Sequence, residues 1–228
     1  MSMPTVVKAG LLGFVAGFVD TVGFIAFFGL FTAHVTGNFV LLGAALIRPH
    51  NGVVAKLLAL PVFIAVVALT TAYVRKPRQS SISSLRVVIG CQMALLAAFA
   101  FCGYLALPIV DADAPLAIVA GLFGVSAMSM QNAASRLLLA DLPPTTVMTG
   151  NVTQFAADAT HLLFTPNAPD RPETRARLAK FGPPVVAFAL GAGTGALSFA
   201  ALSFIALAIP ILALAALLVG QRKVVEAP

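Results

Sequence analysis

Asp20 is an ionisable residue inside the apolar run Ala9–Phe31, with no polar side chain one helical turn to either side. A polar group in hydrocarbon must be satisfied or it costs several kcal/mol. Two readings of Asp20 stand: a structural hydrogen bond to another helix, or a place on a solute or proton pathway, which ionisable groups inside membranes commonly mark. A second polar set comprises Gln131, Asn132 and Arg136. Asn132 and Arg136 are four apart and share a helical face. Arg136 either snorkels to the headgroups or acts as counter-charge to Asp20 or Asp158, a pairing that would tie two parts of the chain together. Asp158 lies seven residues beyond Asn151, on the same helical face; its other reading is a solvated residue at a helix end.

The tripeptide Thr36-Gly37-Asn38 recurs as Thr149-Gly150-Asn151. Glycine permits the chain to leave helical geometry, and Thr and Asn side chains can cap the exposed N–H groups of a helix that restarts. One reading stops at capping. The other uses the partial positive charge at each helix N-terminus: two such ends meeting in the bilayer form a site for a polar or anionic group and a barrier to cations and protons. His34, just before the first tripeptide, reads as a loop histidine, with no Cys, His or carboxylate at metal spacing. Cys91 and Cys102 sit in apolar runs and give neither a disulfide framework nor a metal site. Gly191-x-x-x-Gly195 reads as a surface for close helix approach.

These residues need elements to hold them, and the composition says of what kind. Of 228 residues, 60% are hydrophobic and 10% charged, with mean hydropathy +1.00. A soluble domain carries about 25% charged residues, so the expected solvent is a bilayer. The formal charge of +6 does not call for nucleic acid, because the basic residues sit between apolar runs, where orientation in a membrane accounts for them.

A spanning helix takes about 20 apolar residues. Six runs qualify: Ala9–Phe31, too long for a signal peptide and lacking a small-residue cleavage site, then Leu57–Val74, Val87–Leu107, Pro115–Leu139, Gly182–Phe199 and Ala201–Val219. A tight turn near Ser198–Ser203 separates the last two. Thr36–Ile47 would be about 18 Å long as a helix, too short for about 30 Å of hydrocarbon. Thr149–Phe164 is interrupted by Asp158 and His161. Both read as re-entrant half-helices. With a cytoplasmic N-terminus this arrangement puts 12 of the 14 Lys and Arg residues inside, Arg78 and Lys223 among them. Only Arg48 and Lys56 fall outside, whereas eight full crossings would move the Arg75–Arg86 cluster to the wrong face. The segment Arg171–Lys180 reads as a hydrated cytoplasmic loop.

The expected fold is therefore all-α: a polytopic integral membrane protein in one domain, 1–228, with six transmembrane helices and two half-helices. Each tripeptide follows a long helix and precedes a short one, so the chain divides into repeats at about 8–107 and 115–220. Three crossings per repeat force opposite orientations, a 3+3 inverted repeat of the kind many transporters share.

Gly17-Phe18-Val19-Asp20-Thr21-Val22-Gly23-Phe24 followed by His34-Val35-Thr36-Gly37-Asn38, with Met130-Gln131-Asn132-Ala133 followed by Thr145-Thr146-Val147-Met148-Thr149-Gly150-Asn151, resembles the YoaK family of bacterial inner-membrane proteins. The resemblance covers nearly the whole chain and implies a six-span membrane protein, but no substrate. Thr21 and Ser129 depart from the family's usual Ala and Gly, small residue for small residue.

The expected function is transport or channelling of a small polar or anionic solute between the two tripeptides, in the bacterial inner membrane with both termini cytoplasmic. Bilayer lipid is the other expected partner, a homo-oligomer is left open, and no cofactor, metal or nucleic acid is expected. The alternatives are a non-catalytic scaffold or sensor subunit and, on thinner grounds, a membrane-embedded lipid enzyme using Asp20 as acid or base, since a lone carboxyl is a sparse catalytic set.

Overall fold

The computed structural model describes residues 3–48, 51–77 and 80–222; Arg78 and Lys223, counted above for orientation, lie outside the described residues. The described chain is helical throughout: α1 Thr5–Ala26, α2 Gly37–Ala45, α3 Val53–Val74, α4 Ser81–Leu105, α5 Pro115–Leu137, α6 Met148–Phe164, α7 Arg171–Leu202, a 3-10 turn Ser203–Leu207, and α8 Ala208–Arg222. Among the described residues, five stretches are long and apolar enough to cross a membrane, the fifth being Arg171–Gly220 taken as one. Large apolar side chains such as Leu46, Ile64, Leu69, Phe101 and Leu197 point outward. Water would penalise that surface and lipid does not, as expected of an all-helical polytopic membrane protein.

The ends of the helices explain their boundaries. α1 stops at Ala26, short of the expected Phe31, because Phe28 and Gly29 both take positive φ and turn the chain back. Ser80 caps α4 by accepting from the Ser83 N–H, and Pro115 occupies the start of α5, where its missing N–H costs nothing. α7 begins at Arg171, so Arg171–Lys180 is a polar helical extension and not the expected loop. Ser203, at φ 53, breaks the fifth stretch inside the expected turn. The chain there reverses: Phe204 lies against Phe27 at the end of α1, whereas Gly220 lies beside Met3 before its start.

α1 is the centre of the bundle, with 67% of its apolar window buried against 22% for α3. It packs parallel to α7 through small residues. A Cβ at Gly17 would run into the Phe188 carbonyl, one at Gly191 into the Phe14 carbonyl, and one at Gly195 would come within 2.9 Å of the Phe18 carbonyl. Gly191 and Gly195 thus serve close approach as expected, and Gly13 and Gly17 supply the opposing half.

The two halves of the chain choose neighbours in the same way. α1 packs on α7 as α5 packs on α3, α2 on α3 as α6 on α7, and α4 on α5 as α8 on α1. α5 starts where α1 ends: Asp113, just before α5, accepts from the N–H groups of Gly52, Val53 and Val54 at the start of α3 (3.1, 3.3 and 2.8 Å). Lys56, one turn into α3, donates from its buried ammonium to the carbonyls of Phe28 (2.8 Å), Asn51 (3.3 Å) and Gly52 (3.0 Å).

Candidate functional site

Asp20 sits two turns before the end of α1, and the loop that follows α1 folds back to meet it. Asp20 Oδ1 accepts from the N–H groups of Thr32 (2.8 Å) and Ala33 (2.7 Å), with longer contacts from the Thr32 hydroxyl and the His34 N–H. Oδ2 lies 2.7 Å from His34 Nδ1. The carboxyl therefore finds its partners in the loop that follows its own helix, and Arg136 is not among them. A buried acceptor surrounded by backbone donors orders those donors in turn, so Asp20 fixes the path of residues 32–34.

Asn38 closes the same loop from the other side. Its Nδ2 donates to the Phe31 carbonyl and its Oδ1 accepts from the Phe31 N–H, both at 2.9 Å. In the second half Asn151 Nδ2 donates to the Pro144 carbonyl at 2.6 Å. Asn132 Oδ1 accepts from the Thr146 hydroxyl, fourteen positions on, the separation that also links Asp20 to His34. Each of the two loops is thus stitched twice, by a residue near the end of the preceding helix and by the Asn of the tripeptide.

Capping is not what these residues do. Neither Thr36 before α2 nor Val147 before α6 makes a side-chain cap. α6 already starts at Met148, so Thr149 and Gly150 lie within its first turn, exposed, with open space around Gly150. At α2 the first N–H groups are consumed locally, Gly37 N–H by the His34 carbonyl, Asn38 by Val35 and Phe39 by Thr36. An anion would find none of these three N–H groups free. Nor do the starts of α2 and α6 pack closely together, because α2 lies on α3 and α6 on α7. Each tripeptide asparagine bonds within its own loop.

Asp158 is buried on α6 and pairs with Arg177 of α7 (Oδ1 to Nη2 3.0 Å), with Gln154 Nε2 at 3.0 Å. It locks α6 to α7; the expected counter-charge role of Arg136 is corrected on this side as well. Further along, His161 Nε2 lies 3.0 Å from Asp170 Oδ1, and this hydrogen bond holds the Asp170 carboxyl below the usual carboxylate range. Gln131 is a buried hub: its Nε2 donates to the Leu12 carbonyl of α1 (2.8 Å) and to Thr145 (3.1 Å), and its Oε1 accepts from Gln92 of α4 (2.8 Å). Sequence reasoning passed over Gln92 and gave Thr145 and Thr146 no role beyond the family resemblance.

An open cavity of about 590 Å³ lies at the first loop, lined by Asp20, Thr21, Phe24, Phe31, His34, Thr36, Gly37 and Phe188. No residue of the second tripeptide is among them. The Phe24 and Phe31 rings lie 4.9 Å apart, and the His34 ring meets Phe188 edge-on at 5.5 Å. The His34 side chain keeps 32% of its surface exposed, against 7% for Asp20. His34, read from sequence as an interfacial loop residue, is thus the accessible half of a carboxylate–imidazole pair. Among the described residues no group of three or more His, Cys, Asp or Glu is placed to hold a metal ion.

No curated protein and no solved structure matches the chain. The sequence profile of one family does, over residues 9–220, and the resemblance to YoaK proteins is to that same family. Matched from the start of α1 almost to the end of α8, the chain belongs to the family described as proteins of unknown function, DUF1275.

Proposed function

We propose that this protein is a transporter or channel for a small polar or anionic solute in the bacterial inner membrane, with both termini cytoplasmic. Six helices, α1, α3, α4, α5, α7 and α8, cross the bilayer, and α2 and α6 are re-entrant half-helices of two repeats in opposite orientation. The observation that carries this reading is the matched pair of stitched loops, Asn38 to Phe31 and Asn151 to Pro144, each opening a half-helix. Backbone that leaves helical geometry at membrane depth is tolerated where protein or a water-filled cavity covers it, and transporters built from inverted repeats place their binding sites at such breaks. The neighbour choices of the two halves support the repeat. The cavity beside Asp20 and His34 is the solute's place in this reading, since it combines an apolar wall with a few converging polar groups and has the size of a small-ligand pocket.

Two measurements test it. Reporters inserted in the α3–α4 loop and at Asp111 should report cytoplasm and periplasm respectively; the opposite pair of results would end the six-span assignment. Purified protein in proteoliposomes should carry members of a small-metabolite mixture that empty liposomes exclude, and a protein that inserts fully yet moves none of them is a scaffold or sensor.

A further inference from the structure

The chemistry of the first cavity names a narrower class of solute, an inference that rests on the transport reading and deepens it. We propose that this cavity takes a small weak organic acid together with one proton, its apolar body among Phe24, Phe31 and Phe188 and its carboxylate on Nε2 of His34.

The ring of His34 is held in one orientation. Nδ1 is engaged by Asp20 Oδ2 at 2.7 Å, and the edges of Phe31 and Phe188 stand against the ring at 6.3 and 5.5 Å between centroids. Nε2 makes no hydrogen bond to a described residue, and the ring lines the cavity. With the Nδ1 proton directed at Asp20, a neutral imidazole presents a lone pair at Nε2. A carboxylate placed there meets lone pair against lone pair, so it binds only if Nε2 carries a proton. The neutral acid supplies that proton itself: its O–H bond breaks, Nε2–H forms, and an imidazolium lies between two carboxylates. The site charge is the same before and after the transfer. An anion entering alone would bring its charge up beside Asp20 and face the Nε2 lone pair, with only the neutral hydroxyls of Thr21 and Thr36 to meet it.

No other charged group competes for the anion. The first N–H groups of α2 are already bonded to the carbonyls of His34, Val35 and Thr36. Of the ionisable groups on the elements around His34, Asp20 of α1 is the one that faces it. α2 has none, α7 has none beyond Lys180, and Arg136 of α5 lies about 18 Å along its helix from Gly124, where the loop packs. The remaining polar lining is the hydroxyls of Thr21 and Thr36, which suits one polar end on an otherwise apolar ligand.

Benzoate is a suitable probe, with benzyl alcohol as its uncharged control. Calorimetric titration of the full chain in nanodiscs at pH 8, in buffers of different ionisation heat, should show benzoate binding with uptake of close to one proton. His34→Gln should weaken that binding by about tenfold or more, the scale of a lost charge-assisted hydrogen bond, and Phe188→Ala should weaken benzoate and benzyl alcohol alike. Proton uptake is read on the unaltered protein, so it stands even where a variant fails to fold. Absence of benzoate binding, binding without proton uptake, or undiminished binding in folded His34→Gln would each overturn the inference. Flux of other solutes without benzoate binding would overturn it and spare the transport reading, whereas proton-linked benzoate binding in a protein that moves nothing would spare the site and overturn transport.

Discussion

The amide of Asn151 reaches back seven residues to the carbonyl of Pro144, the span that Asn38 covers to reach Phe31. Each stitch is confined to its own loop. Asn38→Ala and Asn151→Ala should therefore each cost about 1–3 kcal/mol, the penalty for leaving buried backbone groups unpaired, and the double variant should lose the sum within about 0.5 kcal/mol. Unfolding in mild detergent measures this. A loss well short of additive would mean that the two asparagines share one structural unit.

Asp20 is the acceptor on which the first loop hangs, and Asn132 shows that a neutral acceptor can hold the second. Asp20→Asn keeps an oxygen for the Thr32 and Ala33 N–H groups, so it should fold and insert with little change. Asp20→Ala leaves those donors unpaired and should open residues 29–36. Thiol labelling of a cysteine at Thr32, in a background lacking Cys91 and Cys102, reads the difference: slow with Asp20→Asn, fast with Asp20→Ala. Equal rates would mean that Asp20 does not order the loop.

Glycine substitutions separate contact from conformation. Gly17→Ala and Gly191→Ala each drive a methyl into a backbone carbonyl of the facing helix, which cannot yield without parting α1 from α7. Both should lower stability by about 1–3 kcal/mol or more, the cost of overpacking. Gly193→Ala, two residues away and facing open space, should be neutral or stabilise by about 0.4–1 kcal/mol through the unfolded chain. A thermal melt that ranks Gly193→Ala with the other two would refute the interface.

The Gln92–Gln131 bond joins α4 to α5 at full burial. Gln92→Leu alone strands Gln131 Oε1, and Gln131→Leu alone strands the Gln92 amide and removes the side-chain tie to Thr145 and to the Leu12 carbonyl of α1. A double-mutant cycle should give a coupling of about 0.5–3 kcal/mol between them, with Gln131→Leu the more damaging single change.

The long apolar helices were legible because hydropathy over about 20 residues is a coarse and robust signal. α5 begins at the expected Pro115 and α3 ends at the expected Val74. Hydropathy does not see a turn made of apolar residues, which is why the expected first span ran through Phe27 and Phe28 to Phe31. Nor does it see a helix that continues into water, as α7 does over Arg171–Lys180. The local partners of the tripeptides were not legible: Asn is a common cap, and nothing in a single sequence says that Asn38 turns instead to a carbonyl seven residues back. The Asp20–His34 pair was hidden because its partners lie fourteen positions apart across a reversal, beyond the helical spacings at which partners were sought.

The parallel seam between α1 and α7 sets an order of events during synthesis. Gly17 leaves the ribosome roughly 170 residues before Gly191, an interval of roughly 10–35 s at about 5–20 residues per second. Through that time the glycine face of α1 stands in the bilayer without the helix that will cover it, and lipid tails or another newly made helix occupy the groove. Assembly of this protein is therefore paced by α7, and a chain cut short before α7 exposes the glycine face of α1 to whatever else the membrane holds.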